Sequence, residues 1–365
     1  MIYLDNSATT QPRKEVLETF VKVNEQFYAN PASIHRMGNQ AEDLLEGART
    51  QIKQILNMDQ VIFTSGGTES NNLALIGAAK AYRHRGKHII TAVTEHPAVL
   101  NPLAVLEEQG FEITRLPVDE TGAISLNELN IALRSDTILV SLMHVNNEIG
   151  TVHPIAEVKK LLAGTRTLLH VDAVQSVGKL ELPLGAMPDL LSVSGHKIHG
   201  LKGSGILAFN QVELQPVLYG GGQEFGLRSG TVAVPQAVAF AKALRLAEPR
   251  MEFANWNREL RAFFAGFTGV KIISPETAAS HILAVAVKGM KGEVLVSGLQ
   301  QESVIVSTSS ACSSKSKETS HVIEAVGVPR GYKEGVIRIS FGAFTQAGDI
   351  AALKTAFERV YRLIK

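Results

Sequence analysis

A lysine and an aspartate, each carried at the end of an apolar segment, are the pair of residues most able to do chemistry in this chain. Leu168-Leu-His-Val-Asp-Ala-Val-Gln-Ser176 sets Asp172 at the close of a predicted buried strand. A second apolar segment, Leu190 to Val193, runs into the polar stretch Ser194-Gly-His-Lys-Ile-His-Gly-Leu-Lys-Gly-Ser-Gly205, which carries Lys197. In an open α/β sheet, ligands bind outside the carboxyl ends of the strands, so both groups reach one rim. A lysine that forms a Schiff base and an acid that partners a pyridinium nitrogen are what pyridoxal phosphate requires. Either residue alone reads as an ordinary surface or strand-end group. Together, with Gln175 one turn past Asp172 and His196 beside Lys197, they favour the cofactor.

Other motifs fall at the same rim. Thr64-Ser-Gly-Gly-Thr-Glu-Ser-Asn-Asn72 follows a strand and opens a helix, so Gly67 and Thr68 suit a phosphate at a helix N-terminus. An ordinary strand-to-helix turn with Thr68 as N-cap fits that motif equally well. The motif is not a P-loop, because no Gly-Lys-Ser/Thr follows. His96, in Thr94-Glu-His-Pro97, is placed to cover a cofactor ring and shuttle protons. Asn147, in Met143-His-Val-Asn-Asn-Glu-Ile-Gly150, suits a cofactor oxygen or a substrate carboxylate, and His144 reads as packing. In the glycine-rich run Gly220–Thr231, Arg228 and Thr231 suit an anion; a plain surface loop is the competing reading. Arg338 alternates with Ile337 and Ile339 and suits a carboxylate held bidentately, with a simple ion pair as the alternative.

Cys312 is the chain's single cysteine, which excludes an intramolecular disulfide and a multi-cysteine metal site; no metal is implied. Its setting, Ser307-Thr-Ser-Ser-Ala-Cys-Ser-Ser-Lys-Ser316, is small and polar, unlike a core segment, and favours a functional thiol.

The elements needed to position these groups are legible in outline. Apolar strands near 60–64, 88–93, 111–116, 137–143, 167–171, 189–194 and 204–209 alternate with helical patterns such as 97–109 and 154–163. Ser125-Leu-Asn-Glu128 is a capping box. Only nine residues, 195–203, separate the last two strands, too few for a parallel crossover, so the seventh strand is expected to run antiparallel. Helical spacing also marks 16–27, 44–55, 233–247 and 251–266; beyond lie shorter elements at 281–287, 292–301, 303–306, 335–341 and 346–363. The expected fold class is α/β, a large domain over 12–250 with a mainly parallel seven-stranded sheet. Residues 1–11 and 251–365 then form a small α+β domain that includes a mobile cysteine loop near 307–318.

A formal charge of +1, from 36 Lys and Arg against 35 Asp and Glu, offers no basic footprint for nucleic acid. No run approaches the length of a membrane span, and the N-terminus does not read as a signal peptide, so a cytoplasmic protein is expected.

Nearly the whole chain resembles the cysteine desulfurases of the NifS/IscS type, in the class V aminotransferase branch of fold-type I pyridoxal-phosphate enzymes. The resemblance rests on Tyr3-Leu-Asp-Asn-Ser-Ala-Thr-Thr10, Thr64–Asn72, Glu95-His-Pro-Ala-Val99, Val145-Asn-Asn-Glu-Ile-Gly150, Val171-Asp-Ala-Val-Gln-Ser176, Ser194-Gly-His-Lys-Ile198, Arg228-Ser-Gly-Thr231 and Ser310-Ala-Cys-Ser313, in family order. It implies Lys197 as Schiff-base lysine, Asp172 as partner of the ring nitrogen, Gln175 on the phenolic oxygen and His96 stacked on the ring. It also implies phosphate contacts from Gly67, Thr68, Ser194 and His196, and a homodimer in which Thr231 reaches the neighbouring subunit's cofactor. Asn147 and Arg338 would hold the carboxylate of L-cysteine, and Cys312 would become a persulfide that passes sulfur to an acceptor protein. That acceptor would be an iron–sulfur scaffold or a tRNA-thiolation enzyme. A selenocysteine lyase or a class V aminotransferase is the alternative activity, and a catalytically silent sulfur carrier the alternative class. The chain departs from its relatives at Phe225, where arginine is common, and it ends 27 residues after Arg338, short of the tail that binds the scaffold in similar proteins.

Overall fold

The computed structural model describes residues 1–181, 186–309 and 319–364; Cys312 and the rest of 310–318 lie outside them. The chain opens with strand β1 (Ile2–Tyr3) and helices α1 (Lys14–Gln26) and α2 (Arg36–Leu56). There follow β2 (Gln60–Thr64), α3 (Gly67–Tyr82), β3 (His88–Ala92), α4 (Pro97–Glu108), β4 (Glu112–Leu116), α5 (Leu126–Ala132), β5 (Thr137–Met143), α6 (Ile155–Leu161) and β6 (Leu168–Asp172). Strands β7 (Leu190–Ser194) and β8 (Gly205–Phe209) complete a seven-stranded sheet of order β2-β8-β7-β6-β5-β3-β4.

The expected mainly parallel sheet is present, and β8 is antiparallel to both its neighbours. The short 195–203 connection leaves the chain no length to cross the sheet and return. Side chains of β8 alternate between two cores, as a period of two requires: Ile206 and Ala208 face one, Leu207 and Phe209 the other. The first core is closed by α1, α2 and α7 (Val234–Leu246), through Val16, Leu45, Ile52 and Phe240. The second is closed by α3 and α4, through Leu73, Leu75 and Leu103. Layers on both faces bury the sheet, so a polar strand residue needs a partner inside it. His170 of β6 bridges Ser141 Oγ and Ser192 Oγ at 2.8 and 3.0 Å, and burial pushes its imidazole down to about 3.

The remaining elements are α8 (Glu252–Ala265), β9 (Val270–Ile272), β10 (Ile282–Val287), α9 (Gly292–Gln301), β11 (Val304–Ile305), β12 (Ser307–Thr308), α10 (His321–Ala325), α11 (Arg330–Lys333), β13 (Val336–Ser340) and α12 (Ala347–Ile364). They form a separate antiparallel sheet, β12-β13-β10-β9, over a third core containing Phe253, Trp256, Phe264, Leu283 and Phe357. Strand β1 pairs in parallel with β11, which carries the N-terminal segment to these elements. The apolar pattern at 303–306 had suggested one strand; the chain instead breaks at Val306, and Ser307–Thr308 joins β13. No helix among the described residues is long and apolar enough to cross a membrane.

One buried ion pair fastens the glycine-rich loop to this frame. Glu224 takes Arg49 in a fork, Nη1 to Oε2 at 2.9 Å and Nη2 to Oε1 at 2.7 Å, and also accepts from the Phe63 amide at 2.7 Å. Phe225, the residue that departs from the family pattern, lies with its ring 5.0 Å from the Arg49 guanidinium. Removing Glu224 leaves the buried Arg49 with one carboxylate, Glu46 at 2.9 Å, and takes the acceptor from the Phe63 amide. Glu224→Ala is therefore expected to lower unfolding free energy by about 3–5 kcal/mol, measured by urea denaturation. A double Arg49→Met, Glu224→Met variant is expected to recover most of that loss; a single-variant loss below about 1 kcal/mol would show the pair to be dispensable.

Candidate active site

Strands β3, β5, β6 and β7 all end at one rim, and a cavity of about 450 Å³ opens there. Gly67, Thr68, His96, Asn147, Asp172, Gln175, Ser194, His196, Lys197 and Arg338 line it. Thr231 does not; it lies exposed in the loop after Gly230. Cys312 lies outside the described residues.

Asp172 closes β6, and its carboxylate is held by two donors: Asn71 Nδ2 at 2.7 Å and the Val174 amide at 3.0 Å. Lys197 sits in the turn after β7, and its Nζ donates to the carbonyls of Ser7 and, at 2.8 Å, Ala8. The N-terminal segment is thus folded over the lysine. His96 is the N-cap of α4, accepting the Ala98 amide on Nδ1 at 3.0 Å. Burial lowers its pKa, the Asp172 charge opposes that shift, and Lys197 and His321 add to it. The neutral ring therefore carries its proton on Nε2. His196 contacts Thr9 Oγ1 at 3.1 Å, and burial with nearby lysines holds it near 4. Gln175 is fixed at both ends, giving Nε2 to Ser7 O at 2.9 Å and taking Lys179 Nζ on Oε1 at 2.8 Å.

Arg338, on β13, crosses from the other sheet into the cavity. Its Nη2 pairs with Asp5 Oδ1 at 2.9 Å and its Nη1 donates to the Asn147 carbonyl at 2.9 Å. Asp5 nonetheless has a raised pKa, because burial outweighs that ion pair. Arg228, read as an anion ligand, instead forks onto Glu69, which also accepts the Ser65 amide. Thr68 is not the N-cap of α3 either. Gly66 holds that position at φ +152° with no side-chain cap, so the first-turn amides of α3 have no side-chain acceptor there. A Cβ on Gly67 would meet Val174 Cγ2 at 2.8 Å, so only glycine leaves this wall of the cavity open.

Several lining residues are absent from the sequence reading. Asn71 is one; it lies three residues past Thr68, on the same helical face, and that phase was the available signal. Glu95 is fully buried: Oε1 accepts the Met143 amide at 2.7 Å, Oε2 has no partner among the described residues, and burial pushes the carboxyl well above its usual range. Glu148 is pushed up to about 7 by burial, against the Ser320 hydroxyl at 2.7 Å and the Arg338 charge. His321 donates from Nε2 to the Glu95 carbonyl at 2.9 Å.

The aminotransferase class-V pattern matches residues 2–353. The chain belongs to the aminotransferase class-V family. Among its family relatives, a protein of Lactobacillus delbrueckii subsp. bulgaricus described as "NifS/IcsS protein homolog" is 42% identical over 376 residues, covering 99% of this chain and 97% of that one. A protein of Dictyoglomus turgidum, "Cysteine desulfurase IscS", is 40% identical over 375 residues, covering 100% and 95%. A solved structure of the same family, "NifS-like protein", superimposes with a TM-score of 0.92 at 34% identity and 99% coverage of both chains.

The cavity of this class-V member suits pyridoxal phosphate. It offers an amine at Lys197, a doubly bonded carboxylate at Asp172 and uncapped amides at the start of α3 beside Ser194 and His196. Around it, Asn71 Oδ1, Glu95 Oε2 and Arg338 Nε are buried with no partner among the described residues, as expected of groups that await a polar ligand.

Proposed function

We propose that the chain is a cysteine desulfurase that binds pyridoxal phosphate, takes sulfur from L-cysteine and releases L-alanine. The observation that carries this reading is the meeting of Lys197 and the Asn71-bound Asp172 in one cavity. When bound, the cofactor offers an aldehyde to an amine and withdraws electrons from the substrate's α-carbon.

The residues then divide the work. Lys197 would supply the amine for the cofactor's aldehyde and would move the substrate's α-proton. Asp172, kept in place by Asn71, would partner the ring nitrogen. Gly67, Thr68, Ser194 and His196 take the phosphate at the start of α3. Gln175 donates to the ring oxygen, and His96 covers the ring and handles protons through Nε2–H. Arg338 and Asn147 receive the substrate carboxylate. The Cys312 thiolate attacks the substrate sulfur: an S–S bond forms, the C–S bond breaks with its electrons left on carbon, and that carbon takes a proton to give alanine.

The exposed position of Thr231, away from this chain's own cavity, supports a homodimer in which it serves the partner's site. A sulfur-acceptor protein, an iron–sulfur scaffold or a tRNA-thiolation enzyme in the cytoplasm, would receive the persulfide. The test is product analysis on the pyridoxal-phosphate-loaded protein with L-cysteine and excess reductant. Alanine and sulfide in equal amounts are expected. Keto-acid formation would assign an aminotransferase instead, and turnover confined to L-selenocysteine a lyase.

A further inference from the structure

Lys179 is an ionisable group that the chemistry above leaves idle. It is half-buried, four residues past Gln175, and its Nζ donates to Gln175 Oε1 at 2.8 Å. Among the described residues, the charged and titratable groups that face it are Lys197, His196 and His199 from the loop after β7, His281 ahead of β10, and Arg338 on β13. None is acidic. Burial, with Lys197 and Arg338 adding to it, drives its pKa well below the lysine range. A lysine kept among like charges is costly, so it needs a reason to be there.

We propose that Lys179 is a positioning residue that fixes which end of the Gln175 carboxamide meets the cofactor, so that an N–H and not a carbonyl is presented to the ring oxygen. An amide is symmetric in shape, and only its partners decide its orientation. Ser7 O can only accept, so it takes Nε2, and the Nζ hydrogens of Lys179, present in either protonation state, meet Oε1. One Nε2 hydrogen remains for the cavity that Gln175 lines. The two clamps are not equivalent. Ser7 O is shared with Lys197 Nζ, the amine assigned to the chemistry, whereas the bond from Lys179 does not depend on it. A donor on Oε1 also polarises the amide and strengthens its N–H.

This inference rests on the pyridoxal-phosphate reading, and its test separates the two. The readout is the pH titration of the visible absorption band of the loaded enzyme, for wild type, Lys179→Met, Lys179→Gln and Lys179→Arg. A strong donor on the ring oxygen stabilises its negative charge and makes the proton shared with it easier to lose. Lys179→Met weakens or reverses the Gln175 amide, so the midpoint is expected to rise by about 0.5 unit. Lys179→Gln can meet either end of Gln175, and a smaller rise in the same direction is expected; it carries the test if the methionine variant does not load. Lys179→Arg keeps the donor and should titrate with wild type. A methionine or glutamine variant that loads fully and titrates with wild type overturns the proposal. A wild type that binds no pyridoxal phosphate overturns the cofactor reading instead.

Discussion

Cys312→Ala is expected to abolish sulfur release from L-cysteine, by about 10³-fold or more, while cofactor binding stays at the wild-type level. Cys312 is the one cysteine among 365 residues, so the variant has no thiol and no protein persulfide can form on it. No other side chain in the chain substitutes for it: a thiolate is far more nucleophilic toward sulfur than serine oxygen or lysine nitrogen. Because the remaining assigned residues come from other segments, Lys197 and Asp172 should still hold the cofactor. The measurement is sulfide and alanine release by both proteins, with mass spectrometry of the chain after one exposure to L-cysteine. Wild type should gain one sulfur atom and the variant none. Release by the variant within tenfold of wild type would overturn the nucleophile assignment and favour a lyase that expels sulfur without a protein thiol.

What the sequence revealed of the site was local in origin. Asp172, Lys197, His96 and Asn147 each stand just past a short apolar run, and a strand's end can be read from its own residues. The antiparallel β8 was legible for the same reason, since a nine-residue connection limits topology whatever surrounds it. Ser125 as the cap of α5 is another local signal, its hydroxyl accepting the Glu128 amide at 3.3 Å.

The rest depends on partners far away in the chain. Asn71 meets Asp172 across 101 positions, Glu224 meets Arg49 across 175, and Arg338 meets Asp5 across 333. No periodicity records such pairings. Arg228 shows the same limit: in a glycine-rich loop it suits an anion or a plain surface position alike, and its partner Glu69 lies 159 positions away. The alternative reading of Thr68 as N-cap fails on backbone grounds. Gly66 takes a conformation closed to other residues, and β8 begins against it: a Cβ on Gly205 would lie 2.5 Å from the Gly66 Cα. The helix starts two residues earlier than a Thr68 cap would allow. Glu95 and Glu148 were passed over because an acid in a motif reads as solvated; only burial makes them unusual.

Asp172→Asn is expected to slow alanine formation by about 10³-fold, about 4 kcal/mol in the barrier, with the cofactor still loaded. Two separate losses add up. The first is charge: an amide cannot hold a proton on the ring nitrogen, so the ring withdraws electrons less well when the α-proton leaves. The second is hydrogen-bond arithmetic. The wild-type carboxylate accepts from both Asn71 Nδ2 and the Val174 amide, at 2.7 and 3.0 Å. Asparagine has a single acceptor oxygen, so its NH₂ must face one of those donors and the side chain must turn or lose a bond. Asn71→Leu isolates the second loss, because it keeps the charge and removes one donor; a decrease of about tenfold is expected, near the value of one hydrogen bond to a charged group. Single-turnover alanine formation measures both variants. If Asp172→Asn stays within tenfold of wild type, the carboxylate is a structural anchor for Asn71 and Val174, and the acid that serves the ring must be sought elsewhere. Glu95, which lines the same cavity and whose carboxyl is pushed well above its usual range by burial, would be a poor replacement, since burial disfavours the charged form that pairs with a cation.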